Sequence, residues 1–151
     1  MPTIRVFIEN TAGSCRKYHH DEETFRLLRV EEVSGPYPFP YGFVPGTRAP
    51  DGDCVDCLVI TDRPLRTGEF VDCEPVALME QTEGGVVDHN VLAVLPGEPA
   101  PDLAALAPVL TEVMEQLFAG MPGREAVVGR FLPAAAAVAY IEESMLPGSG
   151  T

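Results

Sequence analysis

The sequence predicts an α+β fold in which a small β-barrel is followed by two helices. Two observations carry that expectation. Short apolar or alternating runs, each bounded by Gly, Pro or Asp, fill the first two thirds of the chain, and helical spacing replaces them in the last third. A length of 151 residues with 46% apolar side chains suits one core, so residues 1–151 are expected to form a single domain.

The elements follow in order. "IRVFIE" (4–9) alternates as a half-buried strand does; "FRLLRV" (25–30) and "CVDCLVITD" (54–62) are short and apolar; "GEFVDCEPVALME" (68–80) and "HNVLAVLP" (89–96) complete the strand supply. Between them, "SGPYPFPYGFVPGTRAP" (34–50) reads as a rigid loop, because its prolines fix φ and its aromatics supply packing surface. "EGG" (83–85) reads as a hairpin turn. After "PGEPAPD", Leu103, Leu106, Leu110, Val113, Met114 and Leu117 recur at the spacing of an amphipathic helix that stops at "AGMPG". A strand at 125–131 and a helix at 134–145 follow, and "LPGSGT" is expected to fray.

The formal net charge of −13 argues against nucleic acid and against anionic membrane, both of which call for a basic surface, and favours metal cations as partners. No run of apolar residues is long enough to span a bilayer. The opening "MPTIRVFIEN" lacks the features of a secretory signal, so a cytoplasmic location is expected, and with it four free thiols. Cys54 and Cys57 form a C-x-x-C, yet three positions apart in a strand they face opposite ways, which fits buried thiols better than a zinc or redox site. His19 and His20 are adjacent polar residues, with His19 placed to meet a metal or carry a proton if it lies near a site.

"APDGDCVDCLVITDRP" (49–64) sets Asp51, Asp53 and Asp56 within six positions. Like charges so close raise one another's pKa and destabilise the fold, so the cluster is either a solvated turn or a cation site.

"YPFPYGFVPGT" followed by "DGDCVDCLV" resembles the signature of the soluble inorganic pyrophosphatases, a Tyr-Pro-x-x-Tyr-Gly loop and then Asp-x-Asp-Pro-x-Asp. The likeness extends back to "FIE", "RKY" and "LLRV" and forward to residue 96, weakening beyond it. The resemblance implies a five-stranded OB-like barrel with helices on its flank, the site at the barrel mouth, and Mg²⁺-dependent hydrolysis of pyrophosphate to two phosphates, with Mn²⁺ as a possible substitute. It implies metal ligation by Asp51, Asp56 and Asp88, with Glu83 standing for a further ligand and Glu9 as an outer carboxylate. It implies that Asp53 helps activate the nucleophilic water, that Lys17 and Arg29 bind phosphate, and that Tyr37 and Tyr41 are the loop tyrosines, Tyr37 on the substrate and Tyr41 in the catalytic set. Such chemistry needs carboxylates to hold hard cations and cations to meet phosphoryl oxygens.

The sequence also departs from that pattern. Asn90 stands where the family carries a lysine, Leu117 and Phe118 where it carries a Tyr-Lys pair, His19 replaces a glutamate and Cys54 a proline. Arg124 and Arg130 are the candidates to replace the missing positive charge. The alternatives to a pyrophosphatase are a repurposed enzyme acting on another substrate and an impaired homologue serving as a binding or assembly subunit. A homo-oligomer is expected by analogy with related bacterial enzymes and from the apolar face of the C-terminal helix.

Overall fold

The computed structural model describes residues 2–148; residues 149–151 of the predicted frayed tail lie outside them. The elements are β1 (Ile4–Asn10), β2 (Arg16–His20), β3 (Leu27–Glu32), β4 (Tyr41–Val44), β5 (Val55–Val59), β6 (Phe70–Glu83), β7 (Val86–Val87), β8 (Asn90–Val94), α1 (Leu103–Gln116), β9 (Ala126–Pro133) and α2 (Ala134–Ser144). The main sheet runs β1-β4-β5-β8-β6-β7, β9 pairs β6, and β1 also pairs β6. That last pairing returns the path to its start, so β1, β4, β5, β8 and β6 form a ring of five strands, in keeping with the OB-like expectation. The pairings are antiparallel except β5 with β8, which run parallel.

Membership of the ring differs from the predicted set in one strand. Residues 27–32 pair only with β2, as a separate two-stranded hairpin, and the fifth strand is β4, inside the segment read as a loop. Pro38, Pro40 and Pro45 bracket β4 without interrupting it, so its N–H groups remain available to the ladder. Gly42 makes this close pairing possible: a Cβ there would lie 1.8 Å from the Phe7 carbonyl oxygen.

Alternation distributes the strands between two apolar layers. Val55, Cys57 and Val59 join Val6, Ile8, Val91 and Ala93 against Ala137 and Ile141 of α2. Leu58 and Leu92, with Ala77 and Met79, pack against Leu110 and Met114 of α1 and against Leu117. The apolar face of α2 therefore covers the core. Asp102 caps α1 by accepting a hydrogen bond from the Ala104 N–H at 3.1 Å. All four cysteines are free, with Cys54 and Cys57 in different clusters as their spacing suggests. The "EGG" turn joins β6 to β7, with Gly84 and Gly85 both at positive φ.

Candidate functional site

One end of the ring opens into a cavity of about 570 Å³ lined by eight carboxylate side chains and three permanent cations, Lys17, Arg29 and Arg124. The elements bring the carboxylates there by separate routes. Asp51 and Asp53 lie in the turn after β4, where Ala49 N–H donates to the Asp53 carbonyl at 2.7 Å and the Asp53 N–H donates to Asp51 Oδ1 at 3.0 Å. Thr47 pins the base of that turn: its hydroxyl donates to Val44 O at 2.6 Å and accepts from Val55 N–H at 2.9 Å. Asp56 lies on β5, on the same face as Leu58 and opposite Asn90 of β8. The parallel β5–β8 pairing thus sets it beside Asp88, whose N–H donates to Gln81 O at 2.9 Å.

The outcome is a trio. Carboxylate oxygens of Asp51, Asp56 and Asp88 all come within 4.8 Å of one another. Burial, then repulsion from Asp88 and Asp53, lifts the Asp51 carboxyl to about 6. Burial and the Asp88 charge hold Asp56 well above the usual carboxylate range, while Lys17 and the Tyr41 hydroxyl work against that shift. An all-oxygen, partly buried donor set that resists carrying its own charge fits a hard divalent cation.

Around the trio, Glu9 on β1 accepts hydrogen bonds at Oε2 from the His20 N–H at 3.0 Å, with His20 Nδ1 at 3.2 Å. Burial pushes this carboxyl up to about 7. Lys17 on β2 keeps a raised pKa: burial opposes its charge, but Tyr37 and the carboxylates of Asp56, Asp88 and Glu83 outweigh burial. Its ammonium lies 5.5 Å from the ring centres of both Tyr41 and Phe118. Arg29 is exposed on β3 across from His19. Asp53 is exposed at the mouth. Tyr37 is set back from the opening, buried against Tyr41 with ring centres 4.9 Å apart. Glu83 stands apart from the trio and holds Arg124 instead, Nε to Oε2 at 2.8 Å.

Every predicted site residue except Tyr37 lines the cavity, and Tyr37 lies directly behind it in a small void shared with Lys17 and Asn90. The structure adds His20, Asp21, Glu22 and Glu31 to the surroundings. The carboxylate of Glu22 accepts from the Cys54 N–H, at 3.1 Å to Oε1, so it braces the strand entry beside Asp53 and Asp56. Leu117 and Phe118 are buried, and Asn90 Oδ1 is buried without a hydrogen-bond partner.

The pKa shifts give a stability prediction with a definite sign. Asp51 and Glu9 have folded pKa values above their unfolded ones, so their contribution to stability is complete at low pH and is lost as pH rises through about 6 and about 7. A cation bound by the ionised groups restores it. Melting with excess Mg²⁺ and with chelator should give nearly equal midpoints at about pH 5 and a gap that widens towards about pH 8. A gap independent of pH would show that the carboxylates are not where the cation binds.

Comparison with known proteins places the arrangement. The inorganic pyrophosphatase family model matches residues 6–146. An inorganic pyrophosphatase of Nostoc sp. is 42% identical over 98 residues, covering 64% of this chain and 58% of that protein, so the match spans less than two thirds of that relative's length. One from Halalkalibacterium halodurans is 31% identical over 149 residues, covering 93% of this chain and 91% of that protein. The structure of an inorganic pyrophosphatase from Coxiella burnetii superposes with a TM-score of 0.84 at 29% identity, covering 94% of this chain and 92% of that one.

Proposed function

The chain belongs to the inorganic pyrophosphatase family, and from that premise we propose that it hydrolyses inorganic pyrophosphate to two phosphates with Mg²⁺ as cofactor. The observation that carries the reading is the convergence of Asp51, Asp56 and Asp88 beneath a cavity that also presents Lys17, Arg29 and Asp53. Held by the trio, Mg²⁺, or Mn²⁺ in its place, would neutralise phosphate oxygens and lower the pKa of a water. Glu9 surrounds that centre as an outer carboxylate, and Glu83 is a further candidate ligand, reachable once it parts from Arg124.

The chain's own groups supply the rest. Asp53, exposed at the mouth, accepts the proton of the attacking water as the new P–O bond forms and the bridging P–O bond breaks. Lys17 and Arg29 take up charge on the phosphoryl oxygens. The Tyr41 hydroxyl favours the charged form of Asp56, and Tyr37 backs Tyr41 and Lys17.

Phosphate release from pyrophosphate, nucleoside triphosphates and sugar phosphates, compared at equal concentration with Mg²⁺, tests the substrate. Pyrophosphate is expected to lead the set. A clear preference for a sugar phosphate would favour the repurposed enzyme, and no turnover on any of them a binding subunit.

We also infer a homo-oligomer in the cytoplasm. No helix among the described residues is long and apolar enough to cross a membrane. The four free thiols support a reducing compartment, and cell fractionation that recovers the protein outside the cytoplasm would contradict it. Because α2 spends its apolar face on the core, support for assembly comes instead from exposed Val86, Val109 and Val127. Sedimentation is expected to show a multiple of the 16.2 kDa chain, and a monomer at micromolar concentration would refute it.

A further inference from the structure

The cation supply of the cavity is uneven. Lys17 is sunk among aromatic rings and Arg29 stands on an exposed strand, whereas Arg124 is held rigidly. Its Nε donates to Glu83 Oε2 at 2.8 Å and one terminal nitrogen donates to Glu31 Oε2 at 2.8 Å. Its guanidinium carbon lies 4.4 Å from the centre of the Phe118 ring. Three elements therefore fix one planar group: the β2–β3 hairpin through Glu31, the end of β6 through Glu83, and the turn into β9 that carries Arg124 itself. A guanidinium has five N–H donors, and the two carboxylates engage two of them.

We propose that Arg124 is a substrate-binding residue whose remaining N–H donors meet a phosphoryl oxygen of pyrophosphate in the cavity it lines. The inference rests on the pyrophosphatase reading and assigns a contact beyond Lys17 and Arg29. Geometry favours it over a purely structural clip. The charge stands at the cavity wall, 25% exposed, and a planar fork already oriented by two carboxylates loses little freedom when it takes up an anion. Phe118 gives the group a face to rest on, so this neutral side chain serves the phosphate end by holding a cation from another part of the chain. Glu31 and Glu83 outweigh the single charge of Arg124, so the contact gains strength as a divalent cation offsets the surrounding carboxylates.

Calorimetry with methylenediphosphonate, a diphosphate analogue without a hydrolysable bridge, tests this at saturating Mg²⁺ on the wild type, Arg124→Gln, Arg124→Lys and Arg130→Ala. Arg130 is the matched control: it pairs with Glu80 on an exposed surface away from the cavity. Arg124→Gln is expected to bind the diphosphonate about 10- to 100-fold more weakly and to raise KM for pyrophosphate by a similar factor. Its affinity for Mg²⁺ alone should hold or rise, because Glu83 is released from its ion pair, and Arg130→Ala should match the wild type. Wild-type diphosphonate affinity in Arg124→Gln, or a loss matched by an equal loss of Mg²⁺ affinity, would overturn the proposal. If Arg124→Gln does not fold, Arg124→Lys decides: it keeps the charge and loses the fork, and wild-type affinity in it would overturn the proposal equally. A wild type that hydrolyses pyrophosphate while the variants bind normally defeats only the role of Arg124. A wild type that binds Mg²⁺ but neither binds the diphosphonate nor hydrolyses pyrophosphate defeats the pyrophosphatase reading and this contact with it.

Discussion

Asp56→Ala is expected to abolish saturable Mg²⁺ binding while raising the melting temperature of the metal-free protein. Both effects come from one fact: Asp56 belongs to a partly buried carboxylate trio, crowded by Asp88 and held well above the usual carboxylate range first by burial and then by that neighbour. Deleting it removes a ligand, and two carboxylates in place of three are expected to cost roughly 100-fold or more in affinity. The same deletion relieves repulsion that the metal-free fold otherwise carries at neutral pH, so stability rises where cation binding falls. Calorimetry and paired melts with and without Mg²⁺ separate the two. Unchanged Mg²⁺ affinity in Asp56→Ala would remove the trio as the metal centre.

Asp53→Asn should leave the fold and Mg²⁺ binding intact and lower pyrophosphate turnover by about 10² to 10⁴, the usual range for loss of a positioned proton acceptor. The substitution preserves shape and the backbone N–H that donates to Asp51 Oδ1, so the turn should persist. Asp53 is also exposed and outside the trio, which is why its loss is expected to act on kcat rather than on metal affinity. Turnover within about tenfold of the wild type would reassign the proton to another group, with Glu9 and Glu22, which line the same cavity and feel the Asp53 charge, as the candidates.

The parts of the fold that could be read in the sequence are those where one period dominates. β1, β5, β6 and β8 alternate or run apolar, and α1 repeats its leucines at helical spacing, so their positions were legible to within a few residues. β2 was not, because "RKYHH" offers no apolar face: its strand is stabilised by pairing with β3 and by carboxylates reaching its histidines. β4 was hidden by prolines that mark its ends and by a glycine whose reason is a carbonyl 35 positions earlier in the chain. At the site, the run Asp51, Asp53, Asp56 pointed to a solvated turn or a cation site, but the closeness of Asp88 depends on a parallel pairing that local spacing does not encode. Arg124 was the least legible. Its two carboxylate partners lie 41 and 93 positions away, and the ring it rests on belongs to Phe118, which stands where the family pattern has a lysine.

The most direct test of the reading is phosphate release from pyrophosphate by the purified wild-type chain, followed as Mg²⁺ is titrated and set beside the calorimetric Mg²⁺ isotherm of the same preparation. Turnover that is absent in chelator, rises as the carboxylate site fills and vanishes again on chelation is the predicted result. Full Mg²⁺ occupancy with no phosphate released, or release that proceeds undiminished in chelator, would contradict it.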